Sequence, residues 1–408
     1  MAVDTLLERI TDYASRPDPY PLYAELREAG VARQTDGSYL IGGYHDIVAL
    51  LHDPRLSSDR RNRAAPYRGL REDEETLVPF LRLDDPEHHR LRTLAMRPFG
   101  PPHSPGRVDA MRGGIARITG ELAEALRGRT HFDLVDDFAY PLPVTVICRL
   151  LGVPREDEPV FRDWSTTIID AFDVRSGEDA DKRQRAGAQA RTEMGRYLVD
   201  LAERRRGQPD DTMLSAFVNA PAADGALTRE ELAATAVLLL VAGHETTVNL
   251  ITNGVLTLLR HPDQLDRLLR EPELMPAAVE ELLRYEPPVH LLQRVPLAHI
   301  DVAGTTLPKG VPVVLAVASG SRDPRRFQNP DRFDPTRQDN QHLGFGSGIH
   351  LCYGAPLARI EAQTALTALL PHLSTATLTE DPPPYRHSAL LRGPRHLPLD
   401  VAPPRNKG

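Results

Sequence analysis

The feature that most restricts the fold is one long helix past the middle of the chain. Thr228 and Glu231 have the spacing of a capping box, in which each satisfies a backbone N–H of the other. No proline follows until Pro262, which predicts about 33 residues of helix, or roughly 50 Å at 1.5 Å per residue. The stretch from Ala233 to Gly243 is apolar on every face, so we expect it to be buried all round. Most of the core must therefore be built around this helix.

Composition and charge describe an ordinary soluble enzyme. Of 408 residues, 41% are apolar and 26% are charged, and the net charge of -8 argues against general nucleic-acid binding. The first ten residues lack the apolar stretch of a signal peptide. The longest apolar run, around 233–243, is much shorter than the roughly 20 residues that span a bilayer. Two cysteines without a predicted bridge fit a reducing compartment, so we expect a soluble, cytoplasmic protein without membrane insertion.

The order of secondary-structure signals predicts a mainly α protein with small β-sheets. We expect a single domain spanning residues 1-408. Near the N-terminus, Asp36-Gly37 marks a hairpin turn between the β-like runs Ala32–Gln34 and Ser38–Ile41. The predicted helix-rich core covers about 86–290 and 354–371, and the predicted β-rich parts cover about 30–45 and 295–320.

A glycine-rich loop near the C-terminus surrounds one of the two cysteines. The segment from Phe345 to Arg359 reads FGSGIHLCYGAPLAR, and Cys352 stands just ahead of a helix whose first turn accepts Pro356. The positive end of the helix dipole predicts a lowered pKa for this thiol. A thiolate is a nucleophile, half of a disulfide or a metal ligand. The other cysteine, Cys148, lies in an apolar helical stretch, and the absence of C-x-x-C spacing gives poor support to a zinc, iron–sulfur or redox-dithiol site.

Polar residues interrupt the buried part of the long helix. Positions 243–247 read GHETT, and polar groups inside a buried helix need partners or a purpose. One interpretation is a helix that kinks where threonine hydroxyls bond back to helix carbonyls. A zinc motif of the form H-E-x-x-H begins at His244 but fails at Val248.

Two shorter motifs are weak when each is taken alone. Glu281 and Arg284 lie three residues apart on one helix face, a spacing that Glu203 and Arg206 share on what we expect to be a solvated surface. Residues 88–92 read HHRLR, which alone indicates a polar helix start.

Taken together, these four motifs resemble those of the cytochromes P450. The pattern F-x-x-G-x-H-x-C-x-G-x-x-L-A-R is similar to the haem-thiolate loop of that family, and A-G-x-E-T, E-x-x-R and H-x-x-x-R occur in the family's order and spacing. The resemblance runs from about residue 17 to 400. It implies the P450 fold, in which a long central helix lies over the haem and the cysteine loop lies beneath it, with haem b as cofactor.

The resemblance also assigns roles to individual residues. The Cys352 thiolate would be the iron ligand, and Glu245 and Thr246 would relay protons to bound dioxygen. His88, Arg92, Arg294 and His350 would hold the haem propionates. The full set implied around the haem is His88, Arg92, Ala242, Arg294, Phe345, Gly346, His350 and Gly354.

Two further expectations concern the support of the cysteine loop. Glu281 and Arg284 are expected to join Arg332 from a later segment and to brace the loop without taking part in chemistry. Many bacterial members read A-N-R-D-P where this chain has SGSRDP at 319–324, so we expect a local loop change without effect on the haem.

The implied activity is monooxygenation, the insertion of one oxygen atom from O2 into a small molecule. No flavin or iron–sulfur module fits within this length, so electrons would come from a separate ferredoxin and its reductase. His89, Arg90, Arg92 and Arg359 predict a basic docking face for that partner. We expect a monomer with a role in secondary metabolism. Alternatives are oxidative coupling, rearrangement or peroxide-driven oxidation on the same scaffold, and a haem-thiolate sensor or binding protein.

The predicted substrate pocket is apolar, and it favours a medium-to-large hydrophobic molecule such as a polyketide, terpenoid or steroid-like scaffold. His290 is the polar exception, and we expect it to turn into loop packing. In the family the pocket is lined by segments matching about 56–84 and 165–180. The residues expected to contact substrate are Leu238, Val241, Ala242, Val289, Leu291 and Leu292.

Overall fold

The structure is a computed structural model, and it describes residues 5–67, 77–100, 104–171, 178–221 and 225–402. Helices dominate these residues. In chain order they are α1 (Leu6–Thr11), α2 (Tyr20–Ala29), α3 (Tyr44–Leu51), α4 (Glu87–Met96), α5 (Arg107–Ala110), α6 (Arg112–Leu126), α7 (Pro141–Leu151), α8 (Glu158–Asp170), α9 (Glu178–Glu203), α10 (Met213–Val218), α11 (Arg229–Arg260), α12 (Pro262–Arg270), α13 (Met275–Tyr285), α14 (Val317–Gly320) and α15 (Ala355–Leu373).

Within the described residues, short strands form three small sheets. The strands are β1 (Val31–Arg33), β2 (Tyr39–Ile41), β3 (Leu56–Ser57), β4 (His131–Asp133), β5 (Leu291–Pro296), β6 (Ile300–Val302), β7 (Thr305–Leu307), β8 (Val313–Ala316), β9 (Ala376–Leu378) and β10 (Pro398–Val401). The largest sheet has the order β1-β2-β8-β5-β3, and β4-β10-β9 and β6-β7 form the other two. The predicted hairpin is present, with Val31 opposite Ile41 and Arg33 opposite Tyr39. The mainly α prediction with small sheets is confirmed.

Helix α11 is the central element, and it packs against α7, α9 and α15. Its capping box forms as predicted: the Thr228 hydroxyl accepts from the Glu231 N–H at 3.2 Å, and the Glu231 carboxylate accepts from the Thr228 N–H at 2.8 Å. By length and composition alone α11 is apolar enough to cross a membrane, but 78% of its most apolar stretch is buried inside the protein. Such burial is what the core helix of a soluble protein shows.

The prediction that α11 is buried on every face is wrong on one side. Between Leu232 and Leu258, every residue is buried except Leu238, Ala242, Gly243 and Thr246. Three of these recur at intervals of four and share one helix face. The helix therefore presents one open stripe inside an otherwise closed core.

The sequence did not indicate strand β4, which lies inside the predicted helix-rich region. It pairs with β10, so that Phe132 lies opposite Leu399. A three-residue strand paired with a partner more than 260 residues later has too little local pattern to be recognised. Parts of the predicted pocket segments, residues 68–76 and 172–177, lie outside the described residues.

Candidate active site

The loop around Cys352 is fixed by its own backbone. The Cys352 N–H donates to the Phe345 carbonyl at 2.9 Å, and the Gly346 N–H donates to the Leu343 carbonyl at 2.8 Å. Gly346 has φ +72°, a left-handed conformation that favours glycine. At Gly344 a Cβ atom would lie 2.5 Å from the Leu283 carbonyl oxygen, so the loop lies directly on the end of α13.

The cysteine loop is also bonded to helix α4, through Tyr353. The Tyr353 hydroxyl donates to the Ala95 carbonyl at 2.6 Å, and the Tyr353 ring stacks on Phe99 at 4.6 Å. Tyr353 and Leu238 pack at the edge of one small apolar cluster around Phe80, which joins α4, the cysteine loop and the open stripe of α11.

A buried ionic network braces the loop from α13, as predicted for Glu281 and Arg284. The two side chains are fully buried and share two hydrogen bonds of 2.8 Å. The third member of the network, however, is Arg337, whose Nε lies 3.1 Å from Glu281 Oε2. The prediction of Arg332 is wrong: its side chain is exposed, and only its backbone carbonyl accepts from Arg284, at 3.0 Å.

The SGSRDP segment contributes to the same brace. Residues up to Gly320 form α14, and the Ser321 carbonyl accepts from Arg284 at 3.1 Å. The Ser321 hydroxyl accepts from the Leu343 N–H at the start of the cysteine loop. By contrast, Glu203 and Arg206 form an exposed pair, as expected for a solvated face.

A second carboxylate, Glu280, holds the loop from the same helix. Arg359 donates to it at 2.6 and 2.9 Å, and His342 lies 3.2 Å away. Burial opposes ionisation, but the hydrogen bonds from these two partners and the charge of Arg359 outweigh it and hold the pKa of Glu280 at about 2. The Arg359 guanidinium also lies 4.6 Å from the centre of the Phe345 ring. Arg359 is therefore part of the brace, which the sequence did not reveal.

The Cys352 side chain is exposed, yet protein surrounds its sulfur closely. Desolvation raises the pKa of the Cys352 thiol, and the N–H groups of Gly354 and Ala355 and the charges of Arg92 and Arg359 oppose this only in part. The prediction of a lowered pKa is wrong in direction for the protein without bound haem, because desolvation outweighs these N–H groups and charges. A bound metal ion would deprotonate such a thiol.

The four residues expected to hold propionates come together next to this loop. Arg92 donates to the Leu351 carbonyl at 2.7 Å. The rings of His88 and His350 are 4.2 Å apart, and burial together with the charges of Arg294, His88 and Arg92 lowers the pKa of His350 to about 3. Burial also lowers the pKa of Arg294 to about 10.

Two of these side chains have buried atoms without a partner. His88 Nε2 and His350 Nδ1 form no hydrogen bond, although buried polar groups are nearly always paired. Beside two arginines, such nitrogens suit a bound carboxylate. The residues present therefore fit a haem whose propionates lie at this point.

On α11, the predicted relay pair is divided between two environments. The Thr246 hydroxyl lies on the open stripe and donates back to the Ala242 carbonyl at 2.9 Å, which also agrees with the interpretation of a back-bonded threonine. Glu245 is buried, and its Oε1 lies 2.9 Å from Nε of Arg386. Nothing in the sequence pointed to Arg386, which arrives from a loop 141 positions later.

The predicted substrate residues are likewise divided. Ala242 is exposed, and Leu238, Val289 and Leu292 are partly exposed. Val241 is 8% exposed and packs in the main core. Leu291 packs with Tyr23 and Leu26 on the opposite side of β5 from Leu292. The prediction that Leu291 contacts substrate is therefore wrong. His290 is buried and bonds Tyr23 Oη at 2.9 Å, as expected for packing.

Comparisons with known proteins agree with this geometry. The family profile named Cytochrome P450 matches residues 33–400. The chain is 42% identical to cytochrome P450 monooxygenase PikC of Streptomyces venezuelae over 95% of this chain and 92% of that one. It is 38% identical to 6-deoxyerythronolide B hydroxylase of Saccharopolyspora erythraea over 94% and 96% of the two chains. Ligand-free CYP164A2 of Mycobacterium smegmatis superposes with a TM-score of 0.88 at 37% identity, over 97% and 99% of the two chains. The chain belongs to the cytochrome P450 family of haem-iron monooxygenases.

Proposed function

We propose that this enzyme inserts one oxygen atom from O2 into a medium-to-large hydrophobic molecule, with haem b held by Cys352 and electrons from a separate ferredoxin and its reductase. The observation that carries the proposal is the exposed Cys352 side chain in a braced loop, beside buried histidine nitrogens without partners. The thiol can ligate a metal ion and the histidine nitrogens can bind carboxylates, so these groups suit a cofactor that contains both.

In this proposal Cys352 ligates the iron, and His88, Arg92, Arg294 and His350 bind the propionates. Bound haem supplies the redox chemistry that activates dioxygen, and a thiolate ligand favours O–O cleavage. The chain's own residues do the rest: the apolar wall orients substrate and excludes water, and Thr246 holds a proton at Oγ1 on the open stripe.

The proposed substrate class rests on the predicted pocket residues that are at least partly exposed, two on the open stripe of α11 and two at the start of β5 and just before it. Leu238, Ala242, Val289 and Leu292 offer no charge to anchor a polar ligand, so binding must depend on buried area and shape. A relative that is 38% identical is named as a hydroxylase of 6-deoxyerythronolide B. We therefore favour polyketide, terpenoid or steroid-like substrates.

The docking face for the electron donor is less basic than the sequence suggested. Arg90 pairs with Glu231, and Arg359 pairs with Glu280. Ile349 and Leu351, which precede Cys352 in the loop, are 53% and 48% exposed. We propose that a ferredoxin docks on these two apolar side chains beside Arg92. Because salt screens ion pairs and not apolar contacts, Leu351→Ser should slow reduction by the ferredoxin more than added salt does.

The first experiment tests the iron ligand. The reduced carbonyl complex of the wild type should show the red-shifted Soret band of thiolate ligation. Cys352→Ser should abolish this band, and the buried control Cys148→Ser should keep it. A red-shifted band that survives Cys352→Ser contradicts the proposal.

The second experiment tests the substrate class. A panel of hydrophobic and charged small molecules is titrated against the ferric protein, and type I difference spectra are recorded. We expect the strongest responses from large apolar molecules, and weaker binding in Leu292→Phe, since about 1–3 kcal/mol depends on filling such a pocket correctly. A small charged molecule as the best ligand would contradict the pocket assignment alone.

A further inference from the structure

A second polar site lies next to Glu245, where a loop covers α11. In this loop the Arg386 N–H donates to the Gly393 carbonyl at 3.0 Å. Gly393 lies so close to the helix that a Cβ atom there would be 2.3 Å from Asn249 Oδ1. The loop thus brings Arg386 over the turn of α11 that carries Glu245 and Asn249, one residue and three residues from Thr246.

The Glu245–Arg386 pair differs from the structural pair in the brace. Arg386 Nε and Glu245 Oε1 are 2.9 Å apart, and the two side chains are 14% and 3% exposed. Neither atom has the geometry of a hydrogen bond, and Arg386 Nη2 is also buried without a partner. Glu281 and Arg284, by contrast, share two well-formed hydrogen bonds. Charge holds Glu245 near Arg386, but no hydrogen-bond geometry fixes its orientation.

Two further side chains bring unpaired polar atoms to the same place. Tyr140 Oη and both amide atoms of Asn249 are buried and have no hydrogen-bond partner. The Tyr140 ring lies 5.7 Å from the His244 ring, and the Arg162 guanidinium covers it at 4.4 Å. Burial raises the pKa of Tyr140, and the charges of Arg162, Glu245 and Arg386 act on it.

Unpaired buried polar atoms at one place imply internal water, because dry burial of such atoms is costly. The same group of residues leads to the surface. Arg162 is 45% exposed and pairs at 3.0 Å with Asp136, which is 38% exposed. Tyr140 thus contacts this surface pair through Arg162 and the Glu245 turn of α11 through His244.

We propose that Arg386 is a positioning residue that holds Glu245 at the inner end of a water chain bounded by Tyr140 and Asn249. In this relay the Thr246 hydroxyl gives its proton to an acceptor on the open side of α11 and takes a proton from the Glu245 carboxyl group. The resulting Glu245 carboxylate is then reprotonated by the water chain, which takes its proton from bulk solvent. The inference rests on the proposed monooxygenase function and assigns the route by which its protons arrive.

The first test requires no turnover. A high-resolution crystal structure of the holoenzyme should show ordered water within hydrogen-bond distance of Arg386 Nη2, Tyr140 Oη and the Asn249 amide. Direct protein partners for these atoms, with no water between them, would overturn the inference.

The second test measures the peroxide released per electron pair consumed, with a ligand that gives a type I spectrum. Arg386→Gln should raise this fraction at least about two-fold while the carbonyl band is kept, because proton delivery is impaired and haem binding is not. Arg386→Lys should fall in between, and Tyr140→Phe should shift the fraction in the same direction. Thr246→Ala sets the upper limit, and the exposed Arg395→Gln of the same loop should behave as the wild type.

The two proposals fail in different ways. A wild type without the red-shifted carbonyl band would refute the haem-thiolate function. A normal band in Arg386→Gln with an unchanged peroxide fraction would refute the positioning role of Arg386 alone.

Discussion

At the scale of single residues, the Glu281 network shows which contacts can be predicted from sequence spacing and which cannot. The i to i+3 spacing correctly placed Glu281 and Arg284 on one face of α13, because helix geometry is local. The second guanidinium comes from a later loop, where the sequence alone cannot distinguish Arg332 from Arg337. Only the loop conformation decides that the Arg332 side chain is exposed and that Arg337 meets the carboxylate.

We predict that Arg337→Ala lowers the free energy of unfolding by about 2 kcal/mol. Removing one partner of a buried ion pair costs about 3–5 kcal/mol, and here Glu281 still retains Arg284, which reduces the loss. Urea unfolding of the holoprotein measures the change. Arg332→Ala is the matched control and should cost less than about 0.5 kcal/mol, since no ion pair of its side chain is lost. Equal losses would place both side chains in the network.

Glu280 gives a prediction about pH. Its pKa is held at about 2, below the ordinary value of 4.5, so its ion pairs stabilise the fold above about pH 4.5 and are progressively lost as pH falls towards 2. Glu280→Gln should therefore be less stable than the wild type at neutral pH, and the difference should shrink by about pH 3. Unfolding midpoints in urea at the two pH values test this. Glu230→Gln, at the exposed start of α11, should not reproduce the pattern.

At the scale of elements, α11 was the most predictable part and also the most instructive error. Its cap, its length and its end before Pro262 follow from local rules, and all three are observed. The open stripe through Leu238, Ala242 and Thr246 could not be predicted from composition, because those side chains are as apolar or small as their buried neighbours. The stripe is open because other elements do not pack directly against this face of α11. Their positions are a property of the whole fold.

The crossing of α11 and α7 offers a test at this scale. A Cβ atom at Gly243 would lie 3.0 Å from Cδ1 and 3.2 Å from Cγ1 of Ile147, so the side chain must give way. We predict that Gly243→Ala costs about 1–2 kcal/mol of stability despite the better helix propensity of alanine. In an Ile147→Val background, which removes Cδ1, the same substitution should cost clearly less. Additive effects in thermal unfolding would show that the contact is not limiting.

At the scale of the molecule, an arginine near each terminus of the described chain joins its two ends. Arg16 donates to the carbonyls of Ile10 and His387. Arg392 donates to the carbonyls of Arg16 at 2.6 Å and Pro17 at 2.8 Å and pairs with Glu286. We call these contacts of Arg16 and Arg392 the clasp. No sequence pattern connects residues so far apart, so the clasp was not predicted.

We predict that Arg392→Ala costs about 3 kcal/mol, because it removes these bonds and leaves Glu286 with Arg322 as its ionic partner. Limited proteolysis should cut the first twenty residues faster in this variant. Arg395→Ala, an exposed neighbour, should match the wild type in both assays. Unchanged protease sensitivity in Arg392→Ala would mean that the N-terminal segment is held by other contacts.

The clasp also sets an order of events during biosynthesis. Arg16 and Arg392 are 376 residues apart, so at ribosomal speeds of about 5–20 residues per second roughly 20–75 s separate their synthesis. During that interval the N-terminal segment lacks the contacts that Arg392 makes with it, and Cys352 is itself made only 40 residues before Arg392. The residues that would hold the haem are therefore complete only late in synthesis, so we expect cofactor capture to follow translation of the cysteine loop.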